Sequence, residues 1–125
     1  MSYAEAPFTV TPNAATKMVA LPEPYDMMDI KGISLTVIKT GSNDAVGFGY
    51  ANSDHSIASF TVSNSTTRKS DYNNTSCVYI QEYNGSSWVD KVVGTVSFGE
   101  GEMTFSFSSY DANYYMQGTA RGEVA

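Results

Sequence analysis

From residue 28 onward the apolar residues of this 125-residue chain recur at every second position, and that period of two limits the possible folds more than any other feature. In "GISLTVIKT", Ile33, Leu35 and Val37 alternate with Ser34 and Thr36; in "MTFSFSS", Met103, Phe105 and Phe107 alternate with Thr104, Ser106 and Ser108. Successive side chains of a strand point to opposite faces, so each such segment is apolar on one side only. A large apolar side chain contributes about 1.5–3 kcal/mol when buried, which decides which side faces inward. No stretch carries a long amphipathic helix; at most "SNDAV" and "PEPYDMMDI" make single turns. Short strands separated by regular turn signals predict an all-β chain, an antiparallel β-sandwich, jelly roll or small barrel.

The remaining segments refine this expectation. In "AVGFGYA", Val46, Phe48 and Tyr50 alternate with Gly47 and Gly49, which leave one face bare for a backbone or ring to press against. "SIASFTVS" places Ala58, Phe60 and Val62 on one side, and the patternless polar stretch 64–74 reads as the longest loop. The C-terminal half reads as a meander. "CVYIQEY" turns through Asn84-Gly85 into "SWVDKVVGTVSF", then through "GEGE" into "MTFSFSSY", and "DAN" leads on to "YYMQGTA". Asn-Gly between alternating segments is a strong hairpin signal because both residues tolerate positive φ.

Residues 1–27 differ from the rest. All four prolines, Pro7, Pro12, Pro22 and Pro24, lie there. Proline removes a backbone donor and holds its neighbour extended. The segment is expected to be an extended N-terminal arm with short strands such as "FTV" and "KMVAL". Pro7, Phe8, Val10, Pro12, Pro22 and Pro24 are its candidate assembly residues, whether it lies along the domain as an edge strand or adds a strand to a neighbour. Residues 28–125 then form a single β-domain, and a chain of 125 residues is long enough to bury a core without metals or disulfides.

The chemistry-bearing residues are few. A net charge of −6, with "TTRKS" the sole place where basic residues adjoin, argues against nucleic acid as a partner. One cysteine, Cys77, in a strand pattern, excludes a disulfide framework and reads as an inert thiol. The single histidine, His55, reads as a loop residue, so a catalytic zinc site is not expected. No nucleophile elbow, phosphate loop or dinucleotide fingerprint is present. Two acidic pairs, Glu100 with Glu102 and Asp26 with Asp29, read as solubilising turn residues rather than a glycosidase pair. Asp44, Asp54, Asp71 and Asp111 lie in loop-like stretches, but without calcium-loop spacing. No stretch approaches the roughly 18 apolar residues of a membrane-spanning helix, and the first residues lack a secretory pattern. The expectation is a non-enzymatic protein without a cofactor or metal, made without export.

What remains is surface. Nine tyrosines and Trp88 sit among Ser, Asn and Gly, the composition of polar recognition surfaces. Tyr83, Asn84 and Trp88 flank the hairpin turn and are the candidate binding residues; the plainer reading is that Tyr83 and Trp88 stack across the hairpin. The segment "EYNGSSWV" (82–89) resembles the hairpins of small virion proteins of tailed bacteriophages, of the head-decoration or tail-fibre-tip kind. That resemblance covers eight residues and implies no catalytic residue. It implies a virion structural protein assembled in the host cytoplasm, a homo-oligomer or a lattice-bound subunit. Its partners would be capsid or tail neighbours reached through residues 1–27, and the absence of a shaft or repeat region favours decoration. The alternative is a carbohydrate- or receptor-binding, lectin-like β-domain with a surface glycan as ligand.

Overall fold

A computed structural model describes residues 2–42, 44–52, 57–62, 70–73 and 77–125; at 48, 50–52, 57–62, 70–73, 77–79 and 88 it describes the backbone only. The described residues contain ten strands and no helix. They are β1 (Ser2–Val10), β2 (Thr16–Ala20), β3 (Asp29–Lys39), β4 (Ala45–Asn52) and β5 (Ile57–Val62), then β6 (Ser70–Asn73), β7 (Cys77–Tyr83), β8 (Trp88–Phe98), β9 (Glu102–Ser109) and β10 (Tyr114–Val124). Six form one antiparallel sheet in the order β1-β10-β3-β4-β5-β6, and four form a second in the order β2-β9-β8-β7. The two sheets pack face to face as a β-sandwich, with β1 alongside β2 at one flank and β5 alongside β7 at the other.

The alternation read from the sequence decides what lies between the sheets. Ile33, Leu35 and Val37 of β3 are buried, as are Met103, Phe105 and Phe107 of β9. The Phe8 and Phe105 rings meet across the sandwich with centroids 6.4 Å apart, and Phe105 stacks on Phe107 at 6.0 Å. Register places Gly47 and Gly49 of β4 opposite Val37 and Leu35, the inward-facing rungs of β3, and Phe48 and Tyr50 opposite Thr36 and Ser34. His55 and Asp54 lie outside the described residues, and so do the side chains of Cys77, Asp71 and Ala58, Phe60 and Val62.

Two expectations about connectivity are corrected. The C-terminal meander stops at β9: after residues 110–113 the chain crosses to the other sheet, where β10 is inserted between β1 and β3. Local alternation reports which side of a strand is apolar and says nothing of which sheet receives it. The stretch 64–74 is also not loop throughout, because Ser70–Asn73 pairs with β5 as the edge strand β6. Backbone ladder bonds suffice for an edge strand, so its sequence needs no apolar alternation.

Residues 2–20 supply the edge strand of each sheet. β1 pairs with β10 along its whole length, and β2 pairs with β9. In β1, Ala6, Phe8 and Val10 are buried while Pro7 and Thr9 are exposed; Pro12 and Leu21 are also buried. Proline is tolerated at Pro7 because an edge strand can direct the missing donor away from the ladder.

Candidate binding surfaces

One end of the sandwich is built from three turns. The β7–β8 hairpin turn holds Asn84, whose Oδ1 accepts from the backbone N–H of Ser86 at 3.0 Å and of Ser87 at 2.9 Å, and from Ser86 Oγ at 3.1 Å. The side chain singled out as a ligand group therefore serves to shape its own turn, with Gly85 at a φ of 101°. The β3–β4 turn is closed by Lys39 N–H donating to the Asp44 carbonyl at 3.2 Å, with Ser42 Oγ accepting from Asp44 N–H at 3.3 Å. In the β9–β10 turn Asp111 Oδ1 accepts from Asn113 N–H at 2.9 Å, and the Asn113 carbonyl accepts from Thr40 N–H at 2.8 Å, which ties that turn to its neighbour. Tyr83 and Tyr110 stand on this end, 43 % and 49 % exposed.

Beneath these turns a polar cluster joins the sheets. Lys39 closes β3, and Tyr114 opens β10 directly opposite it; Glu82 comes from β7 in the other sheet. Lys39 Nζ donates to Glu82 Oε1 at 2.5 Å, and the Tyr114 hydroxyl donates to Glu82 Oε2. The lysine also lies 6.0 Å from the centroid of the Tyr114 ring. Burial alone would raise the Glu82 carboxyl. The bonds from Lys39 and Tyr114, with the charges of Lys39 and Lys91, outweigh burial and hold it below its ordinary 4.5. Tyr114 is pushed far above its ordinary value by burial, by its bond to Glu82 and by the charges of Glu82 and Asp111, so it keeps its proton. With a protonated phenol and a carboxylate already paired, this cluster clamps the two sheets rather than moving a proton.

The cluster fixes an expected pH response. The Glu82 carboxyl has a lower value folded than unfolded, so its contribution is complete above about pH 4.5 and is lost as pH falls through the folded value. Tyr114 has the opposite sign: its contribution is complete below pH 10 and is lost as pH rises toward its folded value. Glu82→Gln is expected to lower stability at neutral pH by about 1–3 kcal/mol, the cost of weakening hydrogen bonds to a charged group. It should also flatten the acid limb of a plot of Tm against pH, measured by circular dichroism between about pH 3 and 8. An acid limb as steep in the variant as in the parent would assign that limb to other carboxylates.

The residues named from the sequence are thus dispersed. Tyr83 and Asn84 stand at the turn-bearing end, and register places Trp88 opposite Tyr83, while the Trp88 side chain lies outside the described residues. Pro7, Phe8 and Val10 belong to β1, Pro12 is buried beyond it, and Pro22 and Pro24 are exposed in the loop before β3. Of the acidic pairs, Asp29 bridges to Glu100 through the backbone and pairs with Lys31 at 2.9 Å. Among the described residues no group of three or more Asp, Glu, His or Cys side chains is placed to hold a metal ion.

No protein-family model, curated protein or solved structure matches this chain.

Sequence reasoning missed two features of these surfaces. The clamp draws on three positions far apart in the chain, and a strand-borne Glu or Lys gives no local sign of its partner. In "TKMVA" the exposed large apolar side chain is Met18, at 64 %, while Lys17 and Val19 are half-buried. Alternation groups Lys17 with Val19 and leaves Met18 with Thr16 and Ala20, a signal that was legible once β2 was placed as a strand.

Proposed function

We propose that the protein is a non-enzymatic virion structural protein of the capsid-decoration type, attached to its neighbours through residues 1–27. The observation that carries this reading is where large apolar side chains meet solvent. Tyr3, Met18 and Met27 are 67 %, 64 % and 63 % exposed, and all three belong to that segment. Tyr and Met are among the residue types enriched where proteins meet, and here they are exposed on the two edge strands and in the loop before β3. The virion context rests on the resemblance at residues 82–89. Because Ala6, Phe8 and Val10 fill the core, attachment would use the exposed side chains of β1, β2 and the loop before β3 and leave those strands in place.

Substitution therefore tests the reading better than truncation. Tyr3→Lys, Met18→Lys and Met27→Lys together remove these apolar side chains at a cost within about 0.5 kcal/mol per site, as usual for exposed positions. The expected result is a parent that self-associates by light scattering and a variant that is monomeric with nearly the same Tm. A parent that stays monomeric at every concentration would remove self-association from the reading.

A second reading is favoured by Tyr83 and Tyr110, the other exposed large rings among the residues whose side chains are described. Exposed rings amid Asn and Ser support a reading of the turn-bearing end as a receptor-binding surface of the tail-fibre or lectin-like type.

A further inference from the structure

Across β1, β10 and β3, on the outer face of the six-stranded sheet, lies a shallow groove of about 520 Å³. Register builds it from two rungs, Pro7–Thr119–Ser34 and Thr9–Gln117–Thr36. Between the rungs, the middle strand carries Gly118. A Cβ there would lie 2.4 Å from the Phe8 ring and 2.9 Å from the Ser34 carbonyl, so the glycine lets the neighbouring strands and the Phe8 ring close up beneath the groove. The floor is held by Phe8 and Leu35, both buried in the core.

The chemistry of the lining is uniform. Twenty of the 125 residues carry charge, yet none of the nine that line this groove does. Thr9, Ser34, Thr36 and Thr119 offer hydroxyls and Gln117 a carboxamide, and each of these groups both donates and accepts. The lining residues themselves supply no counter-charge to an ion, and the net charge of −6 disfavours an anion. Charge begins one rung away, where Glu5 stands opposite Arg121 and the Arg121 guanidinium donates to Ser34 Oγ at 3.1 Å. Peptide addition at the adjacent free edge is disfavoured by Glu5 and Pro7 in β1.

We propose that this groove is a binding site for a neutral oligosaccharide, whose hydroxyls match the dual donor–acceptor character of the Thr, Ser and Gln side chains. The site is distinct from the turn-bearing end and from Tyr3, Met18 and Met27.

The test is a two-dimensional amide NMR titration of the full chain. The probes are cellohexaose, xylohexaose and mannohexaose, with a sulfated heparin hexasaccharide as the charged comparison. At least one neutral probe is expected to shift the amides of Thr9, Ser34, Thr36, Gln117 and Thr119, and the sulfated probe to leave them unmoved. Thr36→Val and Gln117→Glu, nearly isosteric changes on the exposed face, are together expected to weaken binding at least about tenfold, the effect of losing one or two hydrogen bonds. Their Tm should stay close to the parent's. The inference is overturned if no neutral probe moves these amides, or if the sulfated probe moves them equally. Shifts confined to residues 83–87 would also overturn it, and would support the receptor-binding reading of the turn-bearing end.

Discussion

A chain lacking residues 1–27 is expected not to fold. The segment contributes Phe8, Val10 and Leu21 to the core, each nearly fully buried, together with Ala6 and Pro12. At about 1.5–3 kcal/mol for each large side chain, the first three alone account for about 5–9 kcal/mol, against a typical total stability of about 5–15 kcal/mol. Further losses follow. Phe105 loses its contact with the Phe8 ring, and β10 and β9 lose the strands paired with their outer edges. Near-ultraviolet circular dichroism and a thermal melt decide the matter: the truncated chain should show neither fixed aromatic signals nor a cooperative transition. A cooperative melt within a few degrees of the parent's would establish residues 1–27 as an appendage and 28–125 as a self-sufficient domain.

The physical reason this segment was hard to read in the sequence is that proline and alternation point in different directions there. Four prolines in 24 residues favour an irregular extended course. The alternation Ala6, Phe8, Val10 is the signature of a half-buried strand, and an edge position reconciles it with Pro7. Elsewhere the all-β class and the inward faces were legible because they depend on single side chains and their neighbours two places away. Leu35 and Phe105 are examples. What was not legible depends on pairing at long range: β10 returning to lie between β1 and β3, β6 forming within a polar stretch, and Glu82 meeting Lys39 and Tyr114 from the opposite sheet. Tyr114 shows the difference in one residue. Its sequence context grouped it with surface tyrosines, whereas it is 1 % exposed, its ring in the core and its hydroxyl on Glu82. The candidate site was legible to the same degree, since "YNGSS" announces a turn and says nothing of what that turn faces.

Gly101→Ala is expected to be the most damaging single substitution at the end of the sandwich opposite the turns. There the loop of residues 21–28 passes beneath the β8–β9 hairpin and is fastened to it by backbone bonds. Leu21 N–H donates to the Gly101 carbonyl at 2.8 Å, and Gly101 N–H donates to the Met28 carbonyl at 2.9 Å. Gly101 has a φ of 65°, and a Cβ added to it would sit 1.9 Å from the Asp26 carbonyl oxygen and 2.3 Å from its carbon. The obstruction is backbone, so no side chain can swing away. Relief requires the 21–28 loop to move, which breaks both bonds and uncovers Leu21 and Met28, 4 % and 0 % exposed. Strain, two lost hydrogen bonds and partial exposure of two core side chains together place the cost at or above about 4 kcal/mol, in the range reserved for such combined lesions. Gly85→Ala supplies the comparison. Gly85 also has a positive φ, 101°, but nothing lies within 4 Å of an added Cβ, so only the backbone conformation is penalised, by about 1–2 kcal/mol. Urea melts of the two variants separate these contributions. A Gly101→Ala loss no larger than that of Gly85→Ala would mean that the 21–28 loop yields freely and does not close this end of the core.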